Sequence, residues 1–108
     1  MNPQTQLAAL SAIAPNGELG ARRRVKICNQ KGLHARAAAR FVKTASQFKA
    51  EVMVRKNGTE VSGRSIMGLM MLAAASGTVI EVSASGPDAA AAVEALARLI
   101  ECKFDEQD

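Results

Sequence analysis

Residues 51–62 read Glu51-Val52-Met53-Val54-Arg55-Lys56-Asn57-Gly58-Thr59-Glu60-Val61-Ser62, and this stretch decides the fold class. Two short runs flank Asn57-Gly58. An Asn-Gly pair supplies the two positive-φ positions of a type I′ turn, whose twist matches that of paired strands. The segment predicts a hairpin with strands Glu51–Lys56 and Thr59–Ser62. A hairpin in the middle of a short chain makes the sheet largely antiparallel.

Upstream, Ala35–Phe48 contains neither Gly nor Pro. Its apolar residues Phe41, Val42, Ala45 and Phe48 recur at helical spacing, with Arg40, Lys43 and Gln47 turned outward. A turn at Gly32 precedes it, and before that Arg23–Cys28 alternates as a half-buried strand, with Val25 and Ile27 on one side and Lys26 on the other. Downstream, Gly63 ends the hairpin and Ser65 is placed to cap a helix with its hydroxyl. Ile66, Leu69, Met70 and Ala73 form one stripe of that helix, with Met67 and Met71 on its flanks. Thr78–Ser83 alternates around Ile80 and Val82 as a fourth strand. Gly86-Pro87-Asp88 opens a last helix, which buries Ala92, Val93, Leu96, Leu99 and Ile100 and runs to about Lys103. The order β-α-β-β-α-β-α gives an α+β fold, a four-stranded antiparallel sheet with three helices on one face.

The 108 residues allow one domain, over 21–108, preceded by a flexible extension or short frayed helix over 1–20 with Pro15-Asn16-Gly17 as its breaker. The mildly apolar Leu7–Ala14 has no Lys or Arg before it, and Arg22-Arg23-Arg24 follows it, which is the wrong side for a secretory signal. No apolar run reaches the length of a membrane span. A cytoplasmic location is expected, with the thiols of Cys28 and Cys102 reduced and buried; without a CxxC pair neither a zinc site nor a disulfide scaffold is indicated. Three Phe, with no Trp or Tyr, leave no stacking platform for single-stranded nucleic acid.

The net charge of +4 conceals +10 over residues 21–64 and −5 over residues 65–108. The basic half attracts an anionic surface, whether phosphate, nucleic acid or an acidic protein face.

The single histidine lies at the junction of loop and first helix, in Gly32-Leu33-His34-Ala35-Arg36. The first turn of a helix presents backbone N–H groups without intrahelical acceptors and the positive end of the dipole, and so stabilises a phosphate. The amides of Ala35, Arg36 and Ala37 fall in that turn, and the Arg36 guanidinium adds donors matched to phosphate oxygens. No Asp or Glu lies between Glu18 and Glu51, so His34 has no nearby hydrolytic base. A histidine so placed accepts a phosphoryl group covalently and hands it on.

The motif Gly32-Leu33-His34-Ala35-Arg36-Ala37-Ala38 resembles the active-site pattern Gly-Leu-His-Ala-Arg-Pro-Ala of the HPr family. These are the histidine phosphocarriers of the phosphoenolpyruvate-dependent phosphotransferase system. A second signature of that family is matched by Ser65-Ile66-Met67-Gly68-Leu69-Met70, and the likeness spans about residues 22–105. The resemblance implies an open-faced β-sandwich, phosphorylation of His34 at Nδ1, and Arg36 steadying the phosphoryl group. It also implies Enzyme I as donor, an enzyme IIA-type protein as acceptor, and Ser65 as the serine modified by HPr kinase/phosphorylase in bacteria that have it. No cofactor, metal or turnover of its own is implied, and a monomer is expected, because a carrier must expose one face to successive partners.

Two departures stand out. Ala37 replaces the family's proline, losing rigidity and gaining an amide donor. Met71 replaces a smaller or polar residue. Ile66, Met67 and Met70 would form an adaptable apolar docking patch, with Arg36, Arg40, Lys43 and Arg64 as its basic rim. The Ala-rich first helix, Ala37 and the extension lean toward the nitrogen-regulatory (NPr) branch rather than the sugar-transport branch. The rival reading, a small basic α+β domain that binds nucleic acid, rests on the +10 segment and lacks both RNP-type aromatics and a helix-turn-helix pattern.

Overall fold

In the computed structural model, residues 12–13 and 19–106 are described. Their elements are β1 (Ala12–Ile13), β2 (Leu19–Lys26), α1 (Ala35–Ala45), β3 (Glu51–Lys56), β4 (Thr59–Ser62), α2 (Ile66–Met71), β5 (Val79–Ser85), α3 (Ala89–Glu101) and a short 3-10 turn at Lys103–Asp105. The sheet order is β1-β2-β5-β3-β4, and every pairing is antiparallel. Strands β2 to β5 are the expected four-stranded sheet. At its edge the two-residue β1 pairs with Leu19 and Gly20, so part of the stretch read as an extension joins the sheet, while its other residues lie outside the described ones. An edge strand offers unpaired N–H and C=O groups, which is what β1 uses. Strand β2 accordingly starts at Leu19 rather than Arg23.

The hairpin forms as expected. Asn57 and Gly58 have φ of 50° and 83°, and Lys56 pairs with Thr59 across the turn. Alternation then sorts side chains to two faces. Ala21, Val25, Ile27, Val52, Val54, Ile80, Val82 and Ala84 face the helices and are buried, whereas Arg22, Arg24 and Lys26 stand exposed on the open face. Arg23 points toward the helices and reaches Glu94 and Glu101 of α3, at 3.3 and 3.2 Å. Both acids are about half exposed, so these pairs add little stability.

Helix α1 docks through Ala37, Ala38, Phe41 and Ala45, and α3 through Ala92, Val93, Leu96, Ala97 and Ile100. The small residues let both helices approach closely, and Phe41 and Phe104 fill the remaining volume, each wholly buried. Helix α2 departs from expectation. It has six residues, too few for a continuous stripe, and holds to the core through Leu69 and the following Leu72. Ile66, Met67 and Met70, read as a docking patch, are exposed, and so is Ala73. Its C-terminal carbonyls are not left open: Lys56 Nζ donates to Leu72 and Ala73 at 2.9 and 3.1 Å.

The cysteines also differ from expectation, both being exposed. Cys28 lies past the end of β2, beside the last turn of α3, where its thiol donates to the Ile100 carbonyl at 3.2 Å. Cys102 is the C-cap of α3.

Gly32 is where the fold is tightest. Its φ is +66°, and a Cβ there would lie 2.5 Å from the Ala74 carbonyl oxygen and 2.9 Å from the Ala75 Cα. Gly58 has φ +83° with nothing within 4 Å of such a Cβ. The two glycines separate conformational cost from collision. Urea unfolding of Gly58→Ala should show a loss of about 1 kcal/mol. Gly32→Ala should lose about 3 kcal/mol, because backbone must also move. Equal losses would show that the close approach to Ala74 contributes nothing.

Candidate functional site

The loop between β2 and α1 is fixed by backbone hydrogen bonds. Gly32 N–H donates to the Asn29 carbonyl at 3.2 Å, and Leu33 N–H donates to the Ala74 carbonyl at 2.9 Å. The Asn29 side chain, wholly buried, donates back to the Gly32 carbonyl at 2.8 Å. The loop is thus pressed against the chain that leaves α2, and it delivers His34 at the N-cap of α1.

His34 takes the extended backbone of an N-cap, φ −79° and ψ −179°, but its side chain makes no capping hydrogen bond. The first helical bond runs from Ala38 N–H to the His34 carbonyl at 2.8 Å. The amides of Ala35, Arg36 and Ala37 precede it, and the first turn carries no acidic residue. These are the conditions under which a helix terminus receives an anion. Ala37 is buried, so the methyl group that stands in place of the family's proline ring packs into the core. The Arg36 side chain is exposed, with no ion pair or hydrogen bond of its own among the described residues.

The structure adds two residues absent from the sequence reading. Glu106, 72 positions downstream, places Oε2 against His34 Nε2, and its Oε1 accepts from Asn29 Nδ2 at 3.0 Å. His34 therefore has a carboxylate partner after all, supplied by the far end of the chain rather than by its neighbours. The side chains of His34 and Glu106 are 27% and 11% exposed. Glu106 arrives through an unusual turn, in which Lys103, Phe104 and Asp105 take φ of 57°, 54° and 62°. Three successive non-glycine residues in that region cost roughly 1 to 2 kcal/mol each. Burial of the Phe104 ring and donation by Arg40 to the Phe104 carbonyl hold the turn in place. The sole hint in the sequence is complementary charge, an acidic tail in a chain whose histidine lies in a basic half.

The other anticipated residues are dispersed over the same region. Arg40 is occupied with Phe104, and Arg64 donates to the carbonyls of Phe48 and Ala50 at 3.3 and 3.1 Å. Lys43 is exposed on α1. Ser65 is the N-cap of α2, its Oγ accepting from Gly68 N–H at 2.9 Å. Ile66, Met67 and Met70 are exposed beside it, Met67 at 73%, and Met71 is 80% exposed. Because the His34 loop is bonded to Ala74, just past α2, this apolar surface and His34 sit on elements braced against one another. Among the described residues no group of His, Cys, Asp and Glu is arranged to hold a metal, and no helix is long and apolar enough to cross a membrane.

An antiparallel α+β sandwich that presents a histidine at an uncapped helix N-terminus, with an arginine in the first turn, is the architecture of a small anion-receiving module. Comparison with known proteins names the module. The family described as PTS HPr component phosphorylation site matches residues 21–102. The phosphocarrier protein HPr of Neisseria meningitidis is 58% identical over 76% of this chain and 92% of its own length. The phosphocarrier protein NPr of Shewanella violacea is 43% identical over 78% and 92%. A crystal structure of HPr from Thermoanaerobacter tengcongensis superposes with a TM-score of 0.77 at 45% identity, covering 81% of this chain and 98% of that one. The chain belongs to the HPr family, the phosphocarrier proteins of the phosphotransferase system, which are carriers rather than catalysts in the usual sense. The comparisons lend nothing to the nucleic-acid reading.

The cap at Ser65 has a measurable consequence for stability. Ser65→Ala removes the acceptor for Gly68 N–H and should lower the free energy of unfolding by about 1 kcal/mol, whereas Ser65→Asp, which still accepts, should keep most of it. Urea midpoints of the two variants check this.

Proposed function

We propose that His34 is the residue that carries the phosphoryl group, received from phospho-Enzyme I and passed to an enzyme IIA-type acceptor, in the cytoplasm and as a monomer. The observation that carries this reading is the unspent N-terminus of α1. The side chain at its N-cap is a histidine that does not cap, and three amides precede the first helical hydrogen bond. Those amides and the exposed Arg36 receive the phosphoryl oxygens, while the imidazole supplies the attacking nitrogen. Positioning and electrostatics then carry the transfer, as they do in phosphoryl chemistry generally.

The exposed Ile66, Met67 and Met70 form the surface on which successive partners dock, Met side chains adapting to more than one partner face. Of the expected basic rim, Arg36 and Lys43 are open to a partner, whereas Arg40 and Arg64 serve the fold through backbone carbonyls. Ser65 is the site of regulatory phosphorylation by HPr kinase/phosphorylase where a bacterium has that enzyme. A phosphoserine is tolerated at an N-cap, and it adds negative charge on the element against which the His34 loop is braced. On the choice of branch, identity to the Neisseria HPr exceeds that to the Shewanella NPr, which favours the sugar-type carrier over the leaning of Ala37 and the Ala-rich helix.

Intact mass after incubation with Enzyme I and phosphoenolpyruvate tests the proposal. A single acid-labile phosphoryl adduct is expected, absent from His34→Ala. Arg36→Ala should accept the group about ten- to a hundredfold more slowly, the worth of one charge-assisted hydrogen bond. An adduct that persists in His34→Ala would move the site elsewhere.

A further inference from the structure

We propose that Glu106 is a positioning residue for phosphoryl transfer, holding the His34 ring in the tautomer whose Nδ1 is free to attack. The proposal rests on His34 being the carrier residue, phosphorylated at Nδ1 as the resemblance implies, and adds to it what holds the ring so.

An ionised carboxylate only accepts hydrogen bonds. The ring nitrogen that Glu106 Oε2 touches is Nε2, so Nε2 bears the hydrogen. A neutral imidazole has one N–H, and Nδ1 is left with its lone pair exposed to a phosphoryl donor. The carboxylate is itself held, because Asn29 Nδ2 donates to Oε1 at 3.0 Å and to the Gly32 carbonyl at 2.8 Å. Two donors thus meet two carboxylate oxygens, and the pair is mostly shielded from water, the Glu106 side chain being 11% exposed. The three left-handed residues 103–105 gain nothing in local conformation. Their effect is to bury Phe104 and to reverse the chain so that Glu106, in extended backbone, lies on the ring.

The transfer balances without movement of a proton. The Nδ1 lone pair forms the bond to phosphorus, and the donor atom keeps the electron pair of the bond that breaks. The ring gains one positive charge, with hydrogen still on Nε2 facing the carboxylate. A glutamine at 106 cannot reproduce this. Its amide has one acceptor and one donor end, so either His34 Nε2–H or Asn29 Nδ2–H loses its acceptor.

Two readouts test it on the full chain. The 15N shifts of the His34 ring report which nitrogen is protonated, without any phosphorylation. The wild type should show Nε2–H with Nδ1 bare, and E106Q should show a mixed population. Single-turnover phosphorylation by Enzyme I should then be about tenfold slower in E106Q, the step from a charge-assisted to a neutral hydrogen bond. E60Q, which removes an exposed acid on β4, should match the wild type in both. Should E106Q remain as fast as wild type with an unchanged tautomer, Glu106 has no positioning role and the carrier reading stands. Should the wild-type ring carry its hydrogen on Nδ1, the proposal fails whatever the kinetics. A wild type that holds Nε2–H yet takes up no phosphoryl group from Enzyme I would overturn the carrier reading and leave no transfer for Glu106 to serve.

Discussion

The contact of Gly32 with Ala74 sets the position of everything at the site. A Cβ on residue 32 would lie 2.5 Å from the Ala74 carbonyl oxygen, and the neighbouring Leu33 amide donates to that same carbonyl. Only glycine permits the two segments to meet at this distance in a left-handed conformation. Because they meet, the loop after β2 has one route into α1. That route ends on an extended residue whose carbonyl starts the helix and whose side chain is left over. That the imidazole takes no part in capping the helix is therefore a product of rigidity in the backbone beneath it.

A second constraint follows from the first. A helix that begins on a histidine has given up a Ser, Thr, Asp or Asn cap, worth about 1 kcal/mol. Helix α2, by contrast, is capped in the ordinary way by Ser65. The core supports the weaker start of α1 by packing its Ala37, Ala38 and Phe41 face against α3 and the sheet. The surrounding structure supplies the stability that the functional terminus lacks, a common division between sites and scaffolds.

What the sequence made legible divides along the range of the interactions. The hairpin at Asn57-Gly58 and the cap at Ser65 depend on residues a few positions apart, and both formed as read. So did the first turn of α1, because amides 35–37 are local to His34. Helix α2 is shorter than the stripe Ile66, Leu69, Met70 and Ala73 implied, because a stripe is a statement about several turns and six residues do not complete two. The thiols were misplaced because both lie just beyond an element, Cys28 past β2 and Cys102 at the C-cap of α3, where periodicity no longer decides burial. Glu106 was beyond reach for a different reason. Its place depends on three left-handed residues that no propensity favours and on Phe104 finding a cavity in a core assembled from distant elements. Asn29 shared that fate, since its burial between loop and tail has no signature in its neighbours.

If His34 carries the phosphoryl group as proposed, the carboxylate beside it acts in two opposed ways, and their balance suits a carrier. Once the ring is charged by transfer, Glu106 lies about 4 Å or less from that charge, an attraction of about 4 kcal/mol at an effective dielectric near 20. The phosphoryl group, across the ring at roughly 6 Å, is repelled by about 3 kcal/mol for each unit of its own negative charge. For a dianion the two effects nearly cancel or tip toward release. The helix terminus and Arg36 would then supply the net attraction that lets the group arrive. On that proposal, the acid sets the geometry of the ring without deepening the bound state. A cationic partner at Nε2 would hold the phosphoryl group more firmly and slow its departure, and a neutral partner would leave the tautomer unset. On that proposal, a carboxylate orders the nucleophile and still lets the cargo go.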